Sequence, residues 1–206
     1  WEWVSKEKPV ADDSIGTPDP YEVRVQVCDP SYLEDNCKHY PGQLENDDSD
    51  DVYKPVGILQ RYGENDRIYF GLITGSYEKN MSGGVLRKKI SSISDEVSNA
   101  TGEFEEGIQG IIHTIDHLRI ADYNYGHEAY DGGWSDAWVT TEAMSEGDFP
   151  DWGNPIAEMM YEGLRYFSGA GSPTSEFYVD SGMDVDELEL PSATWDDPYD
   201  LYEYCA

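Results

Sequence analysis

The sequence predicts an α/β (or α+β) fold: a mixed sheet with two amphipathic helices, joined by long loops rich in acidic and aromatic residues. Three observations carry this. Residues 21–27, "YEVRVQV", alternate apolar and polar side chains as a half-buried strand does. Residues 107–119 and 153–169 instead space their apolar side chains three and four apart, as amphipathic helices do. Between these segments Gly and Pro recur, 20 and 11 times in 206 residues, and break the chain into short elements.

Residues 1–20 contain Pro9, Pro18 and Pro20 with little periodicity and read as an extended leading segment. In the strand that follows, Tyr21, Val23, Val25 and Val27 share one face, and the strand runs into Cys28. "YKPVGILQRYG" fits either a short helical turn or an irregular strand. "RIYFGLIT" (67–74) is apolar on both faces and predicts a central strand. Next comes a glycine turn and a strand with the one dense basic cluster, Arg87, Lys88 and Lys89, which should pair with neighbouring carboxylates. "SSISDEVSN" is a weak helix candidate. Residues 107–119 carry Ile108, Ile111, Ile112, Ile115 and Leu118 at helical spacing. Residues 121–152 form a long aromatic loop region with one short strand at "AWVTT", and residues 170–206 are acidic and loop-like.

The second helix is the better punctuated. In "GNPIAEMMYEGLRYFSG" (153–169), Asn154 can cap and Pro155 can take the first helical position, where its missing N–H costs nothing. Ile156, Met159, Met160, Leu164 and Phe167 then form an apolar stripe, worth roughly 1.5–3 kcal/mol per fully buried side chain. Gly163 suggests a close backbone approach, and Gly169 ends the helix.

Charge narrows the function classes. The chain has 13 Lys and Arg against 43 Asp and Glu, a formal charge of −30. Nucleic acid and anionic membrane surfaces are therefore excluded as partners, since both need clustered cations. Cations, divalent ones included, are attracted. No apolar run approaches the roughly 20 residues of a membrane span. The 38% hydrophobic content is modest, but 16 Tyr and 6 Trp supply packing surface that a disordered chain lacks. The absence of an initiator Met leads us to expect a piece of something longer.

Three cysteines bear on compartment. Cys28 and Cys37 bracket "CDPSYLEDNC", a loop of turn formers. A bridge there would contribute about 2–3 kcal/mol and imply an oxidising compartment. The alternative is a buried reduced pair, which the polar loop argues against. With no CxxC spacing, zinc is not favoured. Cys205 is left over.

Other candidate chemistry is sparse. His113 and His117 lie four apart on the 107–119 helix, a spacing that can hold zinc, but more simply form part of a solvated face. "NDDSDD" offers Asp47, Asp48, Asp50 and Asp51 to a weakly held calcium ion, without the glycine and terminal glutamate of an EF-hand. Asn80-Met81-Ser82 and Asn99-Ala100-Thr101 match the glycosylation acceptor pattern. No nucleophile elbow, phosphate loop or GxGxxG occurs, and the sequence does not read as an enzyme.

The pattern at 153–169 resembles the "TPLxEAL" loop of von Willebrand factor A-like domains, which presents a Thr hydroxyl to a divalent metal. Asn154 stands in that Thr position, so the resemblance makes it one corner of an adhesion-type metal site. No DxSxS motif accompanies it; "VDSGMD" (179–184) lacks the second Ser. More broadly, "VQVCDPSYLEDNCKHYP", "YKPVGILQRYGE", "YFGLITGSYEKNMSGGVLRKKISSISDEVSNATGEF", "IIHTIDHLRI" and "WGNPIAEMMYEGLRYFSG" occur in the order in which similar stretches occur in the PilC/PilY proteins, large secreted adhesins of type IV pili. The resemblance covers about residues 21–169, after the leading segment 1–20 and before an acidic segment 170–206. It implies part of a von Willebrand factor A-like region with a large insertion. It also implies a non-enzymatic role in pilus biogenesis and surface attachment, a place outside the cell or on its surface, and minor pilins, other pilus subunits, or a host or abiotic surface as partners. The rival readings are an extracellular calcium-binding structural domain and a glycan-binding module using the Tyr- and Trp-rich 121–152.

Overall fold

A computed structural model describes residues 2–7, 21–41, 52–121, 123–124, 129–130 and 143–200. The chain divides into two compact units. The first comprises residues 1–7, 20–70 and 92–108; the second, residues 8–19, 71–91 and 109–206. The fold is mixed α/β, made of small sheets and a few short helices.

In the first unit, β1 (Glu2–Glu7) pairs antiparallel with β2 (Tyr21–Gln26), Glu2 opposite Gln26 and Glu7 opposite Tyr21. The leading segment thus supplies a strand, which its lack of periodicity concealed. Val25 on β2 remains 44% exposed, so alternation here does not mean a buried face. β3 (Cys37–Tyr40) pairs antiparallel with β4 (Val52–Pro55), Cys37 opposite Pro55. "YKPVGILQRYG" resolves into both of its candidate forms, β4 and then helix α1 (Ile58–Gly63). The Gly57 N–H donates to Gln60 Oε1 (2.6 Å) at the start of α1.

Two glycines set the packing of this unit. A Cβ on Gly63 would lie 2.5 Å from Ile93 Cγ2, so bare backbone lets α1 settle on that fully buried side chain. Gly102 has φ +69°, and a Cβ there would lie 2.5 Å from Cζ of buried Tyr40. "SSISDEVSN" forms turns rather than a helix: Glu96 and Val97 both donate to Ile93 O (3.0 and 3.1 Å), after which Val97 bridges to Phe104.

The second unit is built on β5 (Phe70–Thr74) and β6 (Val85–Ser91), which pair in a two-stranded sheet. The central strand expected over 67–74 is therefore shorter and, among the described residues, has one neighbour. Its leading end is tied back into a turn, since Ile68 N–H donates to Tyr62 O (3.1 Å).

α2 (Ile111–His117) is shorter than the helix expected over 107–119. Gly107 at φ +76° keeps the preceding chain out of helix, and Leu118 at ψ 128° ends it. Ile111 and Thr114 are buried, whereas Ile115 and Leu118 are 59% and 41% exposed, so only part of the isoleucine stripe faces inward.

α3 (Ile156–Phe167) corrects the sequence reading more sharply. Pro155 occupies the cap position, exposed Asn154 precedes it, and no side-chain hydrogen bond caps the helix. The residues α3 buries are Glu162 and Tyr166; Ile156, Met160, Leu164 and Phe167 stand 59%, 72%, 66% and 53% exposed. Nor is Gly163 the point of close approach, since a Cβ there would meet only Ile73 Cδ1 at an ordinary 3.5 Å. That point is Gly84, just before β6, where a Cβ would come within 2.8 Å of Met159 Cα.

After α3, Gly169 (φ +80°) turns the chain out of the helix. Residues 170–200 then add a 3-10 turn at Ser175–Phe177 and a turn of π-helix at Met183–Glu187. Tyr77, Ala121, Leu188 and Leu190 form a buried cluster with Met183 packed against it. β7 (Tyr123–Asn124) and β8 (Ala129–Tyr130) pair antiparallel; "AWVTT" lies outside the described residues. No described helix is long and apolar enough to cross a membrane.

Candidate functional site

The second unit concentrates its buried polar groups at three nodes, each of which ties together segments distant in sequence. The first is Asp184, at the start of the π-helical turn and 0% exposed. Its Oδ2 accepts from Ser76 Oγ (2.9 Å), Tyr77 N (2.8 Å) and Glu78 N (3.0 Å). Its Oδ1 accepts from Arg87 on β6. Arg87, itself 1% exposed, also donates to Thr74 Oγ1 (2.8 Å), Gly75 O (3.1 Å) and Pro191 O (3.2 Å). One ion pair thus joins the end of β5, the following loop, β6 and the C-terminal stretch. A buried charge pair stands only where such bonds occupy the remaining lone pairs and protons, and here they do.

The second node is Glu162, fully buried on α3. It accepts from Thr174 N (2.9 Å) and Thr174 Oγ1, and from Arg165 Nη1 (3.0 and 3.3 Å to its two oxygens). The Arg165 guanidinium lies 5.4 Å from the Trp195 ring centre, and Trp195 meets Tyr166 edge-on at 5.7 Å. The third node is Asn80, 3% exposed. Its Nδ2 donates to Asp148 O (2.9 Å), Phe149 O (3.0 Å) and Trp152 O (2.7 Å), while its Oδ1 accepts from Gly147 N (3.0 Å). With its amide buried and engaged, Asn80 is closed to the glycosylation its sequence pattern suggests. Asn99 is exposed, and its Nδ2 donates to Glu64 O (2.6 Å).

These nodes tie distant segments together. Among the described residues every buried side-chain nitrogen and oxygen has a hydrogen-bond partner. The perturbed titrations fit the same picture. Burial raises the Tyr77 hydroxyl above its usual value, against the bond it donates to Arg119 O (2.6 Å). Burial also raises the Tyr166 hydroxyl, which accepts from Ile90 N (3.2 Å). Asp151 is exposed as a residue, but its carboxyl reaches in to the Ala121 N–H (2.6 Å), and the desolvation raises its pKa.

In the first unit Cys28 and Cys37 form a disulfide with Cα atoms 5.7 Å apart. Cys28 is buried and has φ +54°, and its N–H donates to Glu34 Oε2 (3.0 Å). Asp29 accepts from Ser31 N (2.8 Å) and Ser31 Oγ, bonds that hold its carboxyl below the usual range. The loop presents Tyr32 and Leu33, 79% and 42% exposed.

Of the sequence-derived metal candidates, His113, His117 and Asn154 are among the described residues. The one group of three His, Cys, Asp or Glu ligand atoms among the described residues is Cys28, Glu34 and Cys37, and its two sulfurs are spent in the disulfide. His113 and His117 stack with ring centres 3.8 Å apart. The first ring's Nε2 sits 2.9 Å from Glu189 O and the second ring's Nδ1 2.8 Å from His113 O, and neither ring belongs to a group of three His, Cys, Asp or Glu ligand atoms among the described residues. Asn154 is exposed, and Asp47, Asp48, Asp50 and Asp51 lie outside the described residues. In "VDSGMD", Asp184 serves the Arg87 node, while Asp180 remains exposed. Most of the aromatic stretch 121–152 also lies outside the described residues. Among the described residues, Phe177, Tyr178 and Trp195 help line a cleft of about 270 Å³.

Sequence reasoning found half of the first node. It expected the basic cluster to pair with carboxylates, and Arg87 and Lys89 do, with Asp184 and Asp196. It missed Glu162, hidden by its place on the polar side of an amphipathic pattern, and Asn80, masked by a glycosylation motif.

Comparison with known proteins decides the family. The family described as "PilY1 homolog, second domain" matches residues 70–206. The chain belongs to the PilY1-homolog family. It is also 42% identical, over 97% of its length, to the type IV pilus biogenesis factor PilY1 homolog of Xylella fastidiosa. The chain spans 14% of that relative's length. No solved structure matches the chain.

Proposed function

We propose that this chain is a non-catalytic binding part of a type IV pilus biogenesis factor, acting at the pilus or cell surface through contacts with minor pilins or other pilus subunits. The observation that carries the reading is the 42% identity to a type IV pilus biogenesis factor over 97% of the chain. Two features agree with it. The buried charges are consumed in holding distant segments together, and the charge of −30 suits exposed, solvated surfaces. A disulfide is at home in an exported protein. The same reading takes the region as a piece of a von Willebrand factor A-like domain with an insertion. Its support is the sequence at 153–169, where a helix opens directly after Asn154 and Pro155. Attachment to host or abiotic surfaces is the furthest extension of the proposal.

The test is deletion of residues 70–200 from the full-length protein in its own cell, with counts of surface pili and capture of minor pilins by the purified variant. Fewer pili and lost capture are expected. Normal pili with undiminished capture would overturn the proposal.

A further inference from the structure

α3 is amphipathic in the wrong sense for a helix that completes its own core. At 100° per residue, Ile156, Met160, Leu164 and Phe167 fall within one narrow arc, roughly opposite the arc holding Glu162 and Tyr166. The inward arc holds Glu162, fully bonded to Thr174 and Arg165, and buried Tyr166, with Met159 half-buried beside them. The outward arc is aliphatic and aromatic, each of its four side chains more than half exposed, and Tyr161 beside it is 54% exposed. A free-standing globular helix turns such a stripe to its core. A contiguous exposed apolar surface of this kind marks a site of docking.

What covers it follows from charge and chain length. A second copy of this chain would bring another −30 charge against the first, which opposes self-association. The relative that matches 97% of this chain is about seven times longer, this chain spanning 14% of it. The matching family is, by its description, a second domain and takes up residues 70–206, so it is the greater length of that relative that leaves room for a further domain. A domain tethered in this way meets the stripe at high effective concentration and needs only a modest apolar face to stay on it.

We propose that the Ile156, Met160, Leu164 and Phe167 stripe of α3 is an intramolecular docking face, covered in the full-length protein by an uncharged, apolar surface from another domain of the same polypeptide. The proposal goes beyond the pilus reading and stands whether or not pilus subunits bind this chain. The relevant experiment places a photo-crosslinking benzoylphenylalanine at Met160 of the full-length protein, a side chain 72% exposed here and so tolerant of replacement. Isotopically light and heavy preparations are mixed before irradiation. The expected product is a light–light or heavy–heavy crosslink from position 160 to a peptide outside residues 1–206. Light–heavy products would mean a second copy, and would overturn the proposal. So would crosslinks confined to residues 1–206, crosslinks to a different protein, or no crosslink at all. Because mass mapping reports only where the probe sits, failure here is distinguishable from failure of pilin capture.

Discussion

The two units of this chain are fastened by different physics. The first relies on a covalent bond and on bare backbone: the Cys28–Cys37 disulfide closes a nine-residue separation, and Gly63 and Gly102 admit Ile93 and Tyr40 where a methyl group would collide. The second relies on buried carboxylates that reach far along the chain, Asp184 bonding Ser76 across 108 positions. Long-range polar fastening suits a unit whose helix turns its apolar side outward and so has less hydrophobic burial to hold it. A domain can therefore be specified by satisfied polar groups when part of its apolar surface is reserved for something else.

Removing one partner of the buried ion pair should break this comparison most severely. Arg87→Ala leaves Asp184 charged, buried and short of its cation, and should destabilise the second unit by about 3–5 kcal/mol. The double variant Arg87→Met, Asp184→Leu should recover much of that. Urea unfolding followed by Trp195 emission measures both, and a single variant no worse than a surface substitution would deny the pair its anchoring role.

Reducing the disulfide should act on the other unit, costing roughly 2–3 kcal/mol by the chain-entropy model. Hydrogen exchange should quicken over residues 28–40 and stay unchanged over 71–91; equal quickening in both would show that the two units do not differ in this way.

Gly102→Ala is expected to cost about 1–3 kcal/mol, since it strains a left-handed backbone and presses on buried Tyr40. A melting temperature shift of only a fraction of a degree would remove Gly102 from the packing account.

The smallest effects are those of pH. Asp196 is held low by its bond to Lys89, and Asp29 by its bonds to Ser31. Their folded values lie below the unfolded one, about 3.9, so what they contribute is present above that pH and is lost as pH falls through the folded values. Both groups are exposed, so the effect on stability should be slight. Asp151 runs the other way, because its desolvation disfavours the charged form; that cost is relieved as pH falls through its raised value. Carboxyl carbon NMR titration should place Asp29 and Asp196 below, and Asp151 above, the ordinary aspartate midpoint; the reverse order would contradict the geometry.

Much of the local structure was legible. The β2 alternation, the loop between Cys28 and Cys37 and the turn at Gly169 all follow from neighbours within a few residues; that the basic cluster would pair follows from the excess of carboxylates, but its partners lie about 100 positions away. The ordered motifs already carried the resemblance to the PilC/PilY proteins. β1 was not legible, because its pairing with β2 depends on residues about 20 positions away and not on its own pattern. Asp184 could not be told from the many other carboxylates, since its role exists only once Arg87 and the 76–78 amides surround it.

The sequence by itself determined that α3 would be a helix with an apolar stripe, because helical spacing and the stop at Gly169 are properties of adjacent residues. Which side of that helix faces inward was decided only by the tertiary structure. Burial depends on what surrounds the helix, and in this chain Thr174, Arg165 and Trp195 surround Glu162 and Tyr166, leaving the stripe outside. Hydrophobicity states that a surface gains by being covered. It does not state by which part of the molecule.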